Sequence, residues 1–422
     1  MASVGVKGHN GGVPPLPGDE YRARLASRQA ACRSLARRDR LLSHARLVTF
    51  LAGAALVAIW WRGAAAAWWL ALPGIAFAVL MHRHDRVIRA HANAQRSILF
   101  YERGLGRIED RWAGTGEPGE RFRDEHHLYA NDLDLFGRGS LFELLSIART
   151  RAGEERLAEW LKQPASVDEV RARQDAVAEL TPALDLREAV ALAGADVRAG
   201  VDSDALVIWA EGAPVLGRTW RRGIAAGLTG GALGAAAYGA MAGDYGYLIA
   251  VLLIEAAFSI PQRRLVQQAL HAAESPARDL DVLAHVLDRL EREDFKDARL
   301  TALRRQLDTP ASATVGSLCD PTNQRWLGGP RSRTAPAGQG QSASVAIRRL
   351  HWLVELHDWQ HNQFFAPLAA ALLWGTHLAW AIEGWRRLHG SQVRTWLRTV
   401  GDFEALSSLS AYRYEHPDDV WP

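Results

Sequence analysis

Two pairs of apolar runs constrain this chain more than any other feature. Leu47–Trp61 and Ala64–Met81 are nearly uncharged and separated only by Arg62 and Gly63, and Gly223–Gly243 and Gly246–Ile260 form a second pair around Asp244 and Tyr245. Inside lipid a helix satisfies its own backbone polar groups, and crossing the hydrocarbon layer takes about 20 apolar residues, with roughly 17 as the short limit. The second and third runs meet that length, while the first and fourth are short and depend on their flanks. Trp60, Trp61, Trp68 and Trp69 cluster around the first turn like an interfacial aromatic belt, and arginines at the ends can snorkel. The third run carries Gly227, Gly230, Gly231 and Gly234, small residues that permit close helix approach. Each pair therefore reads as a transmembrane helical hairpin, over residues 46–82 and 218–262. The competing reading is two long hairpins buried in a soluble core. A composition of 48% hydrophobic and 23% charged residues over 422 positions supplies more apolar surface than a simple soluble helical protein needs.

Charge gives these hairpins an orientation. Arg37, Arg38, Arg40 and Arg46 precede the first and Arg83, Arg86 and Arg89 follow it; Arg218, Arg221 and Arg222 precede the second, with Arg263 and Arg264 after it. The tips hold only Arg62 or Asp244, so both hairpins are expected to enter from and return to the cytoplasm. The expected location is the inner or plasma membrane, multi-pass, with the soluble parts cytoplasmic. Residues 1–45 read as a flexible tail followed by a basic helix, without the apolar core of a cleavable signal. Cys32 and Cys319 are two lone thiols, which fits a reducing compartment and no disulfide framework.

Outside the apolar runs the pattern is helical, after a linker over 83–125. Ser140 and Glu143 have capping-box spacing, in which hydroxyl and carboxylate satisfy each other's free backbone N–H groups, so a helix is expected from Leu141 with Leu144, Leu145 and Ile147 on its apolar side. Gly153 reads as a stop or tight approach before GEERLAEWLKQP. Ser166 and Glu169 repeat the capping-box spacing ahead of VRARQDAVAEL, closed by Thr181 and Pro182. Three short helices in succession make the first part of an all-α module, residues 126–217. Leu280, Leu283, Leu287 and Leu290, continued by Phe295, Leu300, Leu303 and Leu307 on the far side of a polar break, predict a long amphipathic helix over 263–309. Residues 310–341, rich in Pro, Gly, Ser and Thr, predict a mobile loop, and helix returns over 342–422. Phe364–Ile382 is long enough to span, but it contains His377 and ends at Glu383, and a buried core helix is the preferred reading.

The stretch YANDLDLFGRGSLF, from Tyr129 to Phe142, followed in order by Gly153, Trp160, Leu161, Pro164, Arg173, Gln174 and Val177, resembles the start of the core (lever) domain of MutS-family proteins. LREAVALAGADVRAG and FEALSSLSAYRYEHPDDVWP extend the resemblance over roughly residues 126–422, and the membrane-associated MutS-like branch is the nearest in kind. The resemblance implies a fold class that is mainly α, with two transmembrane hairpins and a MutS-like all-helical core. It implies a scaffold relaying between a following ATP-binding module and DNA or a protein partner, and a homodimer when that module is present. The motif residues Tyr129, Asp132, Asp134, Phe136, Gly137, Ser140, Glu143, Gly153 and Arg173 then have structural roles. ATP and Mg²⁺ belong to the family's ATPase module, and no cofactor is expected in this chain. The G-x-x-x-x-G-K-[ST] string that cradles phosphates does not occur, so no enzymatic activity is expected of it. The Gly-rich piece from Gly328 lacks both the lysine and the apolar helix that such a loop requires.

Other constellations carry less. His82 with His84, and His357 with His361, have spacings at which imidazoles can meet one ion, but no acidic or thiol partner stands at a zinc spacing. Asp132 and Asp134 lie in a turn-prone stretch, where aspartate is favoured by backbone hydrogen bonding rather than by acid–base chemistry. The net charge of +3 is weak support for nucleic-acid binding, because the membrane flanks use most of the arginine excess and Arg325, Arg331 and Arg333 fall in the expected loop. Glu255, inside the fourth apolar run, is the most conspicuous isolated polar group. It supports a second reading of a different class, a membrane scaffold or transporter-like protein whose working part is the hairpins and Glu255. Membrane lipid is the expected partner in both.

Overall fold

A computed structural model describes residues 16–62, 67–194, 203–216, 220–308, 342–359 and 366–420. The expected tail before Leu16, the 310–341 loop with its arginines and Cys319, Gly63, Arg218 and His361 lie outside the described residues. The described chain is mainly α, and its one bridge, between Asp308 and Ser342, is isolated. Its residues fall into two compact units, one built from residues 1–118, 137–144 and 411–422, the other from 119–136 and 145–410.

The first unit is dominated by α1 (Pro17–Trp61) and α2 (Ala71–Ile108), which pack along each other and are joined in part by a 3₁₀ turn at Ala67–Leu70. Their contacts fix an antiparallel register: Tyr21 meets Tyr101, Cys32 meets His91, Asp39 meets His84, Arg46 stacks over Phe77, and Gly53 faces Pro73. α1 runs 45 residues without a break, so the basic segment and the first apolar run are one helix rather than two pieces, and helix begins at Pro17 inside the expected tail. Proline at the first helical position explains the start, since its missing N–H would be unbonded there in any case. At the far end from the turn, Arg107 pairs with the buried carboxylate of Glu415 through Nε at 2.6 Å, and the Tyr21 hydroxyl donates to the same carboxylate at 3.1 Å. Toward the turn the picture changes: Leu47, Phe50, Leu51, Trp61, Trp68, Leu72 and Ile75 are all exposed.

The second unit holds α3's last residue (α3, Leu141–Leu145), α4 (Arg151–Lys162), α5 (Val167–Leu180), α6 (Leu184–Ala193), α7 (Ser203–Glu211), α8 (Trp220–Ala242), α9 (Gly246–Ser259), α10 (Arg263–Glu291), α11 (Ala298–Arg305), α12 (Ala343–Asp358), α13 (Ala366–Ala371) and most of α14 (Trp374–Glu415). Its core lies where α10 packs on α12, α6 and α7. Leu280, Leu283, Leu287 and Leu290 are buried as the stripe predicts, and so are Leu300, Leu303 and Leu307. The stripe is carried by two helices, not one. The chain leaves helix after Glu291, and α11 restarts with Asp297 as its cap, while Glu179 of α5 accepts from the backbone N–H of Lys296 at 2.8 Å and of Asp297 at 2.5 Å.

α8 and α9 pack on each other across a turn in which Gly243 has φ +74°. Ala225, Ala232 and Gly239 are the buried face of α8, whereas Gly227, Gly230 and Gly234 have open space where a side chain would be, and only Gly231 of the expected small-residue set approaches α9, through Val251. The outward sides are apolar and bare, with Leu233, Met241, Ile249, Leu253 and Ile254 exposed. α1 and α8 are long and apolar enough to cross a membrane, and the apolar window of α1 is 0% buried and that of α8 17%. The described part of Phe364–Ile382, from Ala366 on, is not one straight helix, because Leu373 takes φ +47° between α13 and α14; Leu378, Ala379, Trp380 and Ile382 are buried.

Candidate functional site

The motif segment acts on helix ends. The Tyr129 hydroxyl lies 2.6 Å from the Lys162 carbonyl and 3.2 Å from that of Leu161, and His127 Nε2 lies 3.0 Å from the former, so both side chains serve carbonyls left unbonded at the end of α4. Phe136 is buried against Phe122. Asp132 and Asp134 are exposed in the turn between, and Asp134 adopts φ +47°, a left-handed conformation that aspartate tolerates. Gly137 has φ +119°, open to glycine, and donates its N–H to the Pro118 carbonyl at 2.8 Å.

Both capping boxes are half made. Ser140 Oγ accepts from the Glu143 N–H at 3.3 Å, and Ser166 Oγ from that of Glu169 at 3.3 Å. The carboxylates go elsewhere. Glu143 accepts from the backbone of Gly139 at 2.7 Å and of Gly116 at 2.9 Å, tying two loops to a helix that ends at Leu145, short of Ile147. Glu169 binds Arg173 at 2.8 Å and Arg299 at 2.7 Å. Arg173 lies over the Trp160 ring at 4.1 Å, with Arg156 and Arg299 further out, which makes this motif arginine part of a cation–π cluster.

Gly153 does not stop a helix. It is the third residue of α4, and its N–H donates to the cap hydroxyl of Thr150 at 3.0 Å. The tight approach is real: a Cβ built on Gly153 would stand 2.1 Å from Glu404 Oε2 and 2.7 Å from Glu404 Cβ. Glu404, buried on α14, accepts from the N–H of Thr150 at 3.0 Å, from its hydroxyl at 2.5 Å and from the N–H of Arg149 at 3.2 Å. Burial pushes its carboxyl up to about 7, with Glu154 adding in the same direction, while the Thr150 and Arg149 donors pull the other way. Sequence reasoning missed this residue, whose only signal was its place in FEALSSLS. It also missed two buried arginines that close helix ends. Arg187 reaches the carbonyls of Leu180 at 2.9 Å and Thr181 at 2.6 Å, and Arg386 those of Trp209 at 2.6 Å and Gly212 at 3.0 Å.

Glu255 is 2% exposed on α9, and neither of its carboxylate oxygens has a hydrogen-bond partner among the described residues. His84 faces Asp39 at 3.6 Å, and the His357 ring lies against that of His271, 6.4 Å between centroids. No cluster of three or more metal-ligating side chains forms among the described residues.

These features define a mainly α protein with two helices long and apolar enough to cross a membrane. No protein-family model, no curated protein and no solved structure matches the chain.

Proposed function

We propose that this chain is a membrane-anchored helical scaffold, with α1–α2 and α8–α9 as two hairpins in the inner or plasma membrane and the remaining helices on the cytoplasmic side. The observation that carries the proposal is the bare apolar surface of both helix pairs. Soluble monomers rarely expose contiguous apolar patches beyond a few hundred Å², and here α1 from Leu47 to Trp61 presents apolar side chains with none of its apolar window covered. Lipid removes that surface from water, and arginines at the non-tip ends favour the cytoplasmic face.

Within that anchor we read the helical module as a MutS-like core that relays between an ATP-binding module and DNA or a protein partner. The support is the motif from Tyr129 to Phe142 and the way its residues pin helix ends rather than line a reactive cleft. The chain itself then performs no chemistry. In alkaline carbonate the full-length chain is expected to stay in the membrane pellet; release to the supernatant would remove the membrane reading. Affinity purification from native membranes is expected to recover a Walker-type ATPase, on the same polypeptide or as a subunit. If no ATP-binding protein accompanies the chain, the relay reading fails and the anchor survives. Glu255 favours the second, transporter-like reading.

A further inference from the structure

Glu255 lies on the inward face of α9, with Ile254 and Leu253 beside it exposed and Gln262 two turns further along, whose Oε1 is also buried without a partner among the described residues. The register of the α8–α9 pair follows from Gly239 against Tyr245 and Gly231 against Val251. Continued, it brings Glu255 level with Gly227–Thr229, about midway along the 23-residue α8. That level is polar. Thr229 Oγ1 lies 3.1 Å from His377 Nε2 and 3.3 Å from the carbonyl of Leu372, beside the break between α13 and α14. Charged residues on the neighbouring elements stand at the ends of the pair: Arg221 and Arg222 on α8, Asp244 in the turn, Arg263 and Arg264 on α10.

We propose that Glu255 forms a proton-binding site inside the second hairpin; the proposal rests on the membrane reading above. An ionised carboxylate without a partner is too unfavourable in apolar surroundings to persist, so the group must hold a cation. Each of its oxygens has less than 1 Å² of accessible area, which leaves no room for a hydrated metal ion and suits a proton. The balance is simple: an O–H bond forms on one Glu255 oxygen with a proton drawn from water, and the same proton returns to water on release.

The test uses the full chain in vesicles of phosphatidylethanolamine and phosphatidylglycerol. The apolar dicyclohexylcarbodiimide, which reacts with protonated carboxyls, is expected to modify Glu255, several-fold less in alkaline than in acidic buffer. A water-soluble carbodiimide leaves it unmodified, and E255Q loses the adduct. The infrared difference between wild type and Glu255→Gln is expected to contain the carbonyl band of a carboxylic acid, and that difference band is expected to vanish in alkaline buffer. A wild-type spectrum identical to that of E255Q overturns the proposal. So does a difference band unmoved by alkaline buffer, which marks a purely structural acid. If the chain is carbonate-resistant, either result refutes the proton site alone; if carbonate releases the chain, the membrane reading falls and the proton site with it.

Discussion

Burial gives Glu404 a pH dependence with a definite sign. Its carboxyl is raised from 4.5 to about 7, so the folded chain holds the proton more tightly than the unfolded one. The stability linked to that proton is fully present below pH 4.5 and is lost as pH rises through about 7. A displacement of this size corresponds to about 3 kcal/mol, at ~1.4 kcal/mol per unit. Thermal unfolding in detergent micelles is expected to show the wild type losing stability over that interval, and Glu404→Gln, which cannot ionise, losing much less; parallel curves would refute the assignment. Gly153→Ala is expected to destabilise by about 1–3 kcal/mol, because the added methyl overlaps Glu404 rather than because the backbone is left-handed. The same melting assay reads it, and an unchanged midpoint would sink it. At this scale the sequence was legible where chemistry is local. Ser140 and Ser166 announced their helices, but the partners of Glu143 and Glu169 lie on other segments, and spacing along one helix carries no information about those. Glu404 was illegible for the same reason, since its donors are 254 and 255 positions away.

Among the elements, the leucine stripe from Leu280 to Leu307 was readable because burial on one face imposes the helical period. The polar break inside it was readable too, but not that it separates two helices. Glu291 turns its carboxylate to Ser344, accepting from the N–H at 2.9 Å and the hydroxyl at 2.5 Å at the start of α12, while Glu179 and Asp297 cap the start of α11. Polar residues that look like a solvated interruption are in fact the supports of two separate helices. Asp297→Ala is expected to lower stability by about 1 kcal/mol, the usual loss for a cap, and Glu179→Ala by a similar amount, with the double variant close to additive only if each serves its own N–H. A double variant no worse than either single one would show that they share one role. The continuity of α1 was hidden differently. A basic stretch and an apolar stretch read as separate segments, although nothing between Arg40 and Leu47 interrupts a helix.

For the molecule as a whole, orientation is the decisive measurement. In a background with Cys32 and Cys319 replaced by serine, Asp244→Cys is expected to react with an impermeant maleimide from outside intact cells, and Asp134→Cys and Asp418→Cys only after the membrane is opened. Labelling of position 418 from outside would place the last helices across the bilayer and end the cytoplasmic reading. The mainly helical character and the presence of helices long and apolar enough to cross a membrane were legible at this scale, because long apolar runs are a bulk property of the sequence. The MutS-like relay rests on a motif whose residues have structural work to do, and such work leaves little trace of what a scaffold serves. The unbroken α1 adds a mechanical consequence. With about 1.5 Å of rise per residue, Tyr21 stands roughly 40 Å along the shaft from Leu47, and α2 braces it over that distance. A bilayer that thins or thickens makes its helices tilt. On a stiff rod of this length a tilt of about 5° carries the Tyr21 end sideways by roughly 3 Å, so on the membrane reading the shaft would convert membrane thickness into a displacement at the Tyr21–Glu415 contact.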